Sequence, residues 1–560
     1  MCGIAGLMTT NGSPPPAGIL ERMGAAIAHR GPDGSGTYQR DDVGMIQVRL
    51  AIIDLATGDQ PLYEPRGAAL VANGEIYNYV ELMDWMGAKN FATKSDCETP
   101  LHLYRRFGLD FVTWLRGMYA IALHDPDERQ LILARDPFGI KPLYYVEALS
   151  GLAFASEPRA LLAAGLTRGE VVPGVRDELL ELQFTTGRDT IRAGIKRVLP
   201  GETLVVSKGR IVERRRIEAL PSGAPEEVDD EQIIQDLDAT LAGSVLVHQR
   251  SDVPYGMFLS GGIDSATVLA LMARLNERPV KAFTIGFSSN DVTDERPIAA
   301  AIARSLGAEH VELGFNEADF WNTLPAAAAA LDDPVADYAV VPTYRLGQAA
   351  REAGIKVVLS GEGGDELFAG YGRYRSVTRP WWAGGKSMRA KGTFDGLGVL
   401  RKEPANWRDG IVAAEERAAA NGHSKLQAAQ ATDCADWLPN DLLNKLDRCL
   451  MAHGVEGRTP LLDREVAKLA FRLPDRLKIQ DGKGKFLLRR WLQAQVPDAD
   501  AMAPKQGFTV PVAEWIGKRA KRLAPLVARQ ECIQELCVPD SVEALFAKCP
   551  EQRAGFAAWT

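Results

Sequence analysis

Through about residue 217 the chain repeats one pattern: a short apolar run, a few turn residues, another apolar run. MIQVRLAIID, ALVANGEIYN, YAIALHD, QLILARD, PLYYVE, LAFASE and ETLVVSKGRIVE all follow it. Runs of this length between turn residues predict β-strands, with DPDERQ as a hairpin-like connection. Only a few stretches, such as ILERMGAAIAHR and TPLHLYRRFG, carry helical spacing. The expected architecture of this part is α+β, a sandwich of antiparallel β-sheets with flanking helices.

The pattern changes after EALPSGAPEEVDDEQ, residues 218–232. That stretch is rich in Pro, Gly and Ser and then acidic, the composition of a linker. Beyond it strands alternate with helices: VPYGMFL then SATVLALMARL, KAFTIGF then ERPIAAAIARSLG, then HVEL, long helices and KVVL. The alternation predicts an α/β part with a doubly wound parallel sheet. From about residue 405 the pattern is mostly helical, and WWAGGKSMRAKGTFDG reads as an irregular, mobile loop. The expected division is 1–217, a linker at 218–232, and 233–560.

Composition narrows the partners. A net charge of -8 over 560 residues leaves no basic face for nucleic acid or an anionic membrane. No apolar run is long enough for a membrane span, and no signal segment opens the chain. Seven cysteines without a CxxC pair, and seven scattered histidines, predict free thiols in a reducing cytoplasm and no Cys/His metal site.

The candidate chemistry sits in loops. SGGIDS, residues 260–265, follows a predicted strand and opens a predicted helix. Its glycines let backbone N–H groups turn inward, its serines add hydroxyls, and the helix start favours an anion. Asp264 within it either stabilises the helix start or shares Mg²⁺ with a phosphate. SGEGGDE, residues 360–366, follows KVVL and presents Glu362, Asp365 and Glu366. Both loops belong at carboxyl ends of parallel strands and so face one crevice, where Asp264 and Asp365 would hold Mg²⁺ together. Asp332, Asp333 and Asp337 either line that crevice or cap a helix start. At the other end MCGIAG places a thiol, Cys2, where chains usually fray.

SGGIDS after a strand resembles the pyrophosphate loop of ATP pyrophosphatases. With SGEGGDE, DERPIAAAIA and EGRTPLLD the chain is similar to the glutamine-hydrolysing asparagine synthetases. The resemblance implies that Leu259 and Ile285 contact adenine, and that Ser260, Gly261, Gly262, Asp264 and Ser265 hold phosphates. It implies Ser360 and Gly361 at the ribose and α-phosphate, and Glu362 supporting an aspartyl-adenylate. Lys505, in PKQGF, would stabilise charge at the adenylate; on its own it reads as a surface lysine.

In such a family the first part is a glutaminase whose nucleophile is the cysteine left first after Met1 is removed, here Cys2. A thiolate there forms a thioester with the glutamine amide, and the α-amine, of pKa about 7.7–8.0, serves as base. Asn73 and Gly74 would supply the oxyanion donors. NG alone reads as a hairpin turn. Arg49, with Leu50, Ala51, Ile52 and Ile53 after it, would hold glutamine; alone it reads as a surface salt bridge. Glu75 and Asp96 would take the α-ammonium. HRGPD and RDPFGIKPLYY match stretches near the site, with His29 positioning a loop and Cys97 only packing. The implied substrates are glutamine, aspartate and ATP with Mg²⁺, and the implied assembly is a homodimer. The rivals are an amidotransferase acting on another carboxylate, a β-lactam-forming synthetase, and a non-catalytic sensor of glutamine and nucleotide.

Overall fold

The computed structural model describes every residue except 1, 290, 291, 293, 504–508 and 550. The first part contributes β1 (Cys2–Thr9), β2 (Gly34–Arg40), β3 (Val43–Arg49), β4 (Leu62–Tyr63), β5 (Ala69–Ile76) and β6 (Gly117–Asp125). It continues with β7 (Gln130–Arg135), β8 (Tyr144–Ala148), β9 (Gly151–Ala155), β10 (Ile195–Arg197), β11 (Glu202–Ser207) and β12 (Arg210–Arg216). These form two six-stranded sheets, ordered β10-β8-β9-β1-β3-β2 and β12-β11-β7-β6-β5-β4. Their pairings are antiparallel.

Side-chain alternation explains the layers. Ile4, Met8 and Met45 of one sheet meet Val71, Ala122 and Leu133 of the other between the sheets. Their neighbours Ala5, Leu7, Ile46 and Val48 point outward, under the helices Ile19–Ala26 and Pro158–Ala163. Leu70, Ile121 and Leu123 point outward under the helix Thr99–Phe107. Both faces of each sheet are therefore covered, which is why these strands are continuous apolar runs rather than strict alternations. Each large apolar side chain so buried stabilises the fold by roughly 1.5–3 kcal/mol. DPDERQ joins β6 to β7, with Asp125 opposite Gln130, as expected.

The NG pair departs from its local reading. Asn73 and Gly74 lie inside β5, opposite Ala120 and Tyr119, and make no turn. Glycine is needed there because β6 comes so close: a Cβ at 74 would stand 2.2 Å from the Met118 carbonyl oxygen.

Residues 217–231 carry neither helix nor strand. After the helix Gln232–His248 come β13 (Tyr255–Phe258), β14 (Lys281–Phe287), β15 (Glu309–Phe315), β16 (Val357–Leu359) and β17 (Glu456–Arg458). They form a parallel sheet ordered β15-β14-β13-β16-β17. The chain moves outward from β13 first on one side, then on the other, so β13 and β16 flank the switch point where such sheets bind ligands. Pattern reading misses β17, because EGR is polar. Both its charged residues are fully buried and paired with each other: Arg458 Nε donates to Glu456 at 2.5 Å.

Along the parallel strands Ala282, Val357 and Leu359 face one core, and Phe283, Ile285 and Val358 the other. The first core also takes in Leu50, Ile52, Phe138 and Ile140, so one apolar cluster runs across both parts of the chain. The stretch 381–396 holds a single short turn of helix, Trp381–Ala383. Among the described residues no helix is long and apolar enough to cross a membrane.

Candidate active site

β1 ties the thiol end into the middle of a sheet. Cys2 lies opposite Arg49 of β3, and its side chain is buried. Gln47 Nε2 donates to Cys2 Sγ at 2.8 Å, and Arg30 Nε donates to the Cys2 carbonyl at 3.2 Å. Burial pushes the thiol pKa up, while the Leu50 N–H and the Arg49 charge pull it back. Asn73 is 0% exposed; its Oδ1 accepts from Cys2 N at 3.2 Å. That contact leaves Nδ2 as the outward donor, and it has no hydrogen-bond partner among the described residues. A buried donor beside a thiol is what an oxyanion requires.

Around this point lie the expected carboxylates and guanidinium. Asp96 Oδ2 accepts from Ile76 N at 2.7 Å, and burial lifts its pKa to about 6. Burial, then the Glu456 and Asp96 charges, push Glu75 well above the usual carboxylate range. Buried carboxylates raised by burial and by neighbouring negative charge are relieved by an incoming ammonium. Arg49 donates to the Asp54 carbonyl at 2.6 Å and to Asp59 at 2.6 Å. The Asp59 side chain is 83% exposed, so this partner of Arg49 is solvated. Leu50, Ile52 and Ile53 are buried and Ala51 is partly exposed. His29 hydrogen-bonds Glu157 at 3.1 Å, a positioning contact, and Cys97 is buried beside Asp96.

The second centre is a cavity of about 810 Å³ beyond β13 and β16, lined by both glycine loops. In SGGIDS, Ser260 N and Gly262 N donate to the Ser265 and Ser260 hydroxyls, both at 3.1 Å. Gly262 caps the helix Ile263–Leu275, whose first turn carries Asp264. Leu259 and Ile285, both buried, supply apolar wall. Ser360 Oγ is buried without a partner among the described residues, and Gly361 borders the same space. Glu362 stays partly open to the cavity, its pKa raised by burial against the Lys445 charge.

The two loops touch. A Cβ at Gly364 would stand 2.4 Å from the Asp264 carboxyl carbon. Asp264 and Asp365 converge on the ammonium of Lys485, with the Asp365 contact at 2.7 Å. Burial opposes that charge, but the two carboxylates hold the lysine's pKa up. Lys485 caps the helix Phe486–Gln495 from a left-handed backbone conformation (φ 59°), strained for a lysine. Two carboxylates converging on one cation fit a divalent ion shared with phosphate oxygens. Among the described residues no cluster of three or more His, Cys, Asp or Glu makes a protein-only metal site.

Other residues sort differently from their sequence reading. Only Asp337 of the LDDPVAD aspartates lines the cavity; it accepts from Ala339 N at 2.8 Å, just ahead of the helix Val340–Glu352, which carries no side-chain cap. Asp333 is held by Arg197 and Tyr144 at 2.8 Å, and Asp332 by Arg448 at 3.2 Å. Lys505 lies outside the described residues. Lys485, Lys445 and Arg458 carry no sequence motif of their own, except that GKGK opens the helix Phe486–Gln495. Arg458 is the link between centres. It is 0% exposed, its Nη2 lies 3.5 Å from Glu75, and its carbonyl accepts from Ser360 N at 2.9 Å.

Family models match both parts of the chain, a glutamine amidotransferase domain at residues 1–216 and asparagine synthase at residues 236–559. A glutamine-hydrolysing asparagine synthetase 1 of Bacillus subtilis is 32% identical over 563 residues, 92% of this chain and 88% of that protein. Asparagine synthetase B of Escherichia coli is 30% identical, covering 90% of this chain and 81% of its own length. A Penicillium rubens protein named as an amidase is 33% identical over 64% of this chain and 55% of its own.

Proposed function

The chain belongs to the glutamine-hydrolysing asparagine synthetase family, and from that premise we propose that it carries out the whole coupled reaction. ATP, aspartate, glutamine and water give asparagine, glutamate, AMP and pyrophosphate. We assign residues 1–217 to glutamine hydrolysis, 218–232 to a linker and 233–560 to synthesis. The expected compartment is the cytoplasm and the expected assembly a homodimer.

In the first part Cys2, freed by removal of Met1, gives its thiol proton to its own α-amine. Its sulfur attacks the glutamine side-chain carbonyl. Asn73 Nδ2 and the Gly74 N–H stabilise the oxyanion. Ammonia leaves, and water cleaves the thioester to glutamate. Arg49 holds the substrate carboxylate, and Glu75 and Asp96 its ammonium, beside the backbone of Leu50–Ile53.

In the second part an aspartate β-carboxylate oxygen attacks the α-phosphorus of ATP, and pyrophosphate leaves. Ser260–Ser265 cradle phosphates, Leu259 and Ile285 pack on adenine, and Ser360 and Gly361 lie by the ribose. Mg²⁺ held by Asp264, Asp365 and ATP oxygens would neutralise charge on the leaving pyrophosphate. Lys485 adds a fixed cation there, and Glu362 supports the adenylate; Lys505 is assigned the same task at the α-phosphate. Ammonia then attacks the acyl carbon, and AMP leaves.

One observation carries the coupling: Arg458 contacts Glu75 with its side chain and Ser360 with its carbonyl. A product assay with ATP, Mg²⁺, glutamine and aspartate tests the reading. Equal amounts of asparagine, AMP and pyrophosphate support it. Glutamate without asparagine or pyrophosphate would transfer the same two centres to another carboxylate acceptor.

A further inference from the structure

Asp441 lines the synthetic cavity and has no part in the steps above. It lies near the end of a π-helical segment, Asp433–Leu442, which also presents Trp437 to the cavity. A π-turn adds a residue per turn and re-aims side chains, and such segments recur at functional sites. Asp441 is 1% exposed, yet neither carboxylate oxygen has a hydrogen-bond partner among the described residues. A buried carboxylate is normally paired or hydrogen-bonded.

Its surroundings sharpen the case. Asp337 and Glu362 line the same cavity, and Lys445 is the cation between them, ion-paired to Asp337 at 2.6 Å. Three carboxyl groups therefore face one ammonium at this end of the cavity, which is rich in acid and short of nearby cations. Arg389 acts on Asp441 only at a distance; its guanidinium stacks on Trp437 at 4.1 Å and pairs with Asp433 at 3.8 Å. Burial, with the Asp337 charge adding, pushes the Asp441 carboxyl well above its usual range. ATP cannot answer this need, because nucleotide phosphates are anions. A positively charged part of the other substrate can.

We propose that Asp441 is a specificity residue that binds a free ammonium group on the carboxylate being activated. The acceptor is then an amino acid, and an amine-free or N-acylated carboxylate is rejected. The inference rests on the reading of this cavity as the adenylating site.

The test uses the full chain with ATP, Mg²⁺ and ammonium chloride, and compares L-aspartate with succinate, which lacks only the amine. Pyrophosphate release reports activation of both. Wild-type enzyme is expected to prefer aspartate by at least about 100-fold in kcat/KM, as a site built for a polar group rejects its analogue. Asp441→Asn is expected to cut that preference at least about tenfold, through the KM for aspartate, with the succinate value and glutaminase rate held within about twofold. A preference unmoved in Asp441→Asn, or values for both acceptors falling together, overturns the assignment. Wild-type enzyme that uses succinate as well as aspartate overturns it without any variant. No asparagine from wild-type enzyme with aspartate overturns the acceptor reading itself, a different failure from an unmoved preference.

Discussion

Arg458 reaches Glu75 across the boundary between the antiparallel and parallel sheets, with Nη2 3.5 Å from Oε2. Glu75 is the residue after the Asn73–Gly74 pair in β5, and Arg458 ends β17, the edge strand beside β16. The same guanidinium donates to the carbonyls of His248 and Arg250 at 2.7 Å. Its position is therefore determined from several directions.

Arg458→Met removes the counter-charge from Glu75 and Glu456, both buried. Breaking a buried pair from one side costs about 3–5 kcal/mol. Thermal unfolding should show that loss. Where the variant folds, glutamate released per asparagine formed should rise above one.

Cys2→Ala separates the two chemistries. Synthesis from glutamine should fall at least about 1,000-fold, while synthesis from ammonium chloride stays within about twofold. Asparagine quantified with each nitrogen source checks it. Equal loss with both sources would place Cys2 in the fold rather than in the chemistry.

Asp96 sets an acid limb. With its pKa lifted to about 6 by burial, it is ionised above that pH and neutral below it. Only the ionised carboxylate pairs with a substrate ammonium. Glutaminase kcat/KM, which reports the free enzyme, should therefore fall more steeply below about pH 6, by about a further tenfold per unit beyond the loss caused by protonation of the Cys2 α-amine. In Asp96→Asn the value should be low throughout and that extra steepening should be gone.

Gly364→Ala tests how closely the two cavity loops must approach. The new Cβ would stand 2.4 Å from the Asp264 carboxyl and displace it. A displacement of this size costs about 100-fold in rate. Pyrophosphate release should fall accordingly, with glutamate release from glutamine unchanged.

How much was legible in the sequence depends on how local the signal is. SGGIDS and SGEGGDE announce themselves because glycine turns after apolar strands are local chemistry, and the structure brings both to one cavity. The strands of the first part were legible for the same reason. β17 was not, since two of its three residues are charged and are buried through ion pairs, Arg458 with Glu456 beside it and with Glu75 from the other sheet, rather than through apolar character. Asn73–Gly74 misleads locally: the pair favours a turn, and only β6 alongside makes it strand.

The sequence alone determined the two architectures, antiparallel sheets followed by a parallel sheet with helices. These follow from backbone preference and hydrophobic period, which act over a few residues. Tertiary structure decided which charges meet. Asp264 finds Lys485, Glu75 finds Arg458, and Asp441 is left without a hydrogen-bond partner among the described residues inside an acid-rich pocket. Burial makes those relations consequential, because a charge removed from water must be answered by another group, and that group can come from anywhere along the chain.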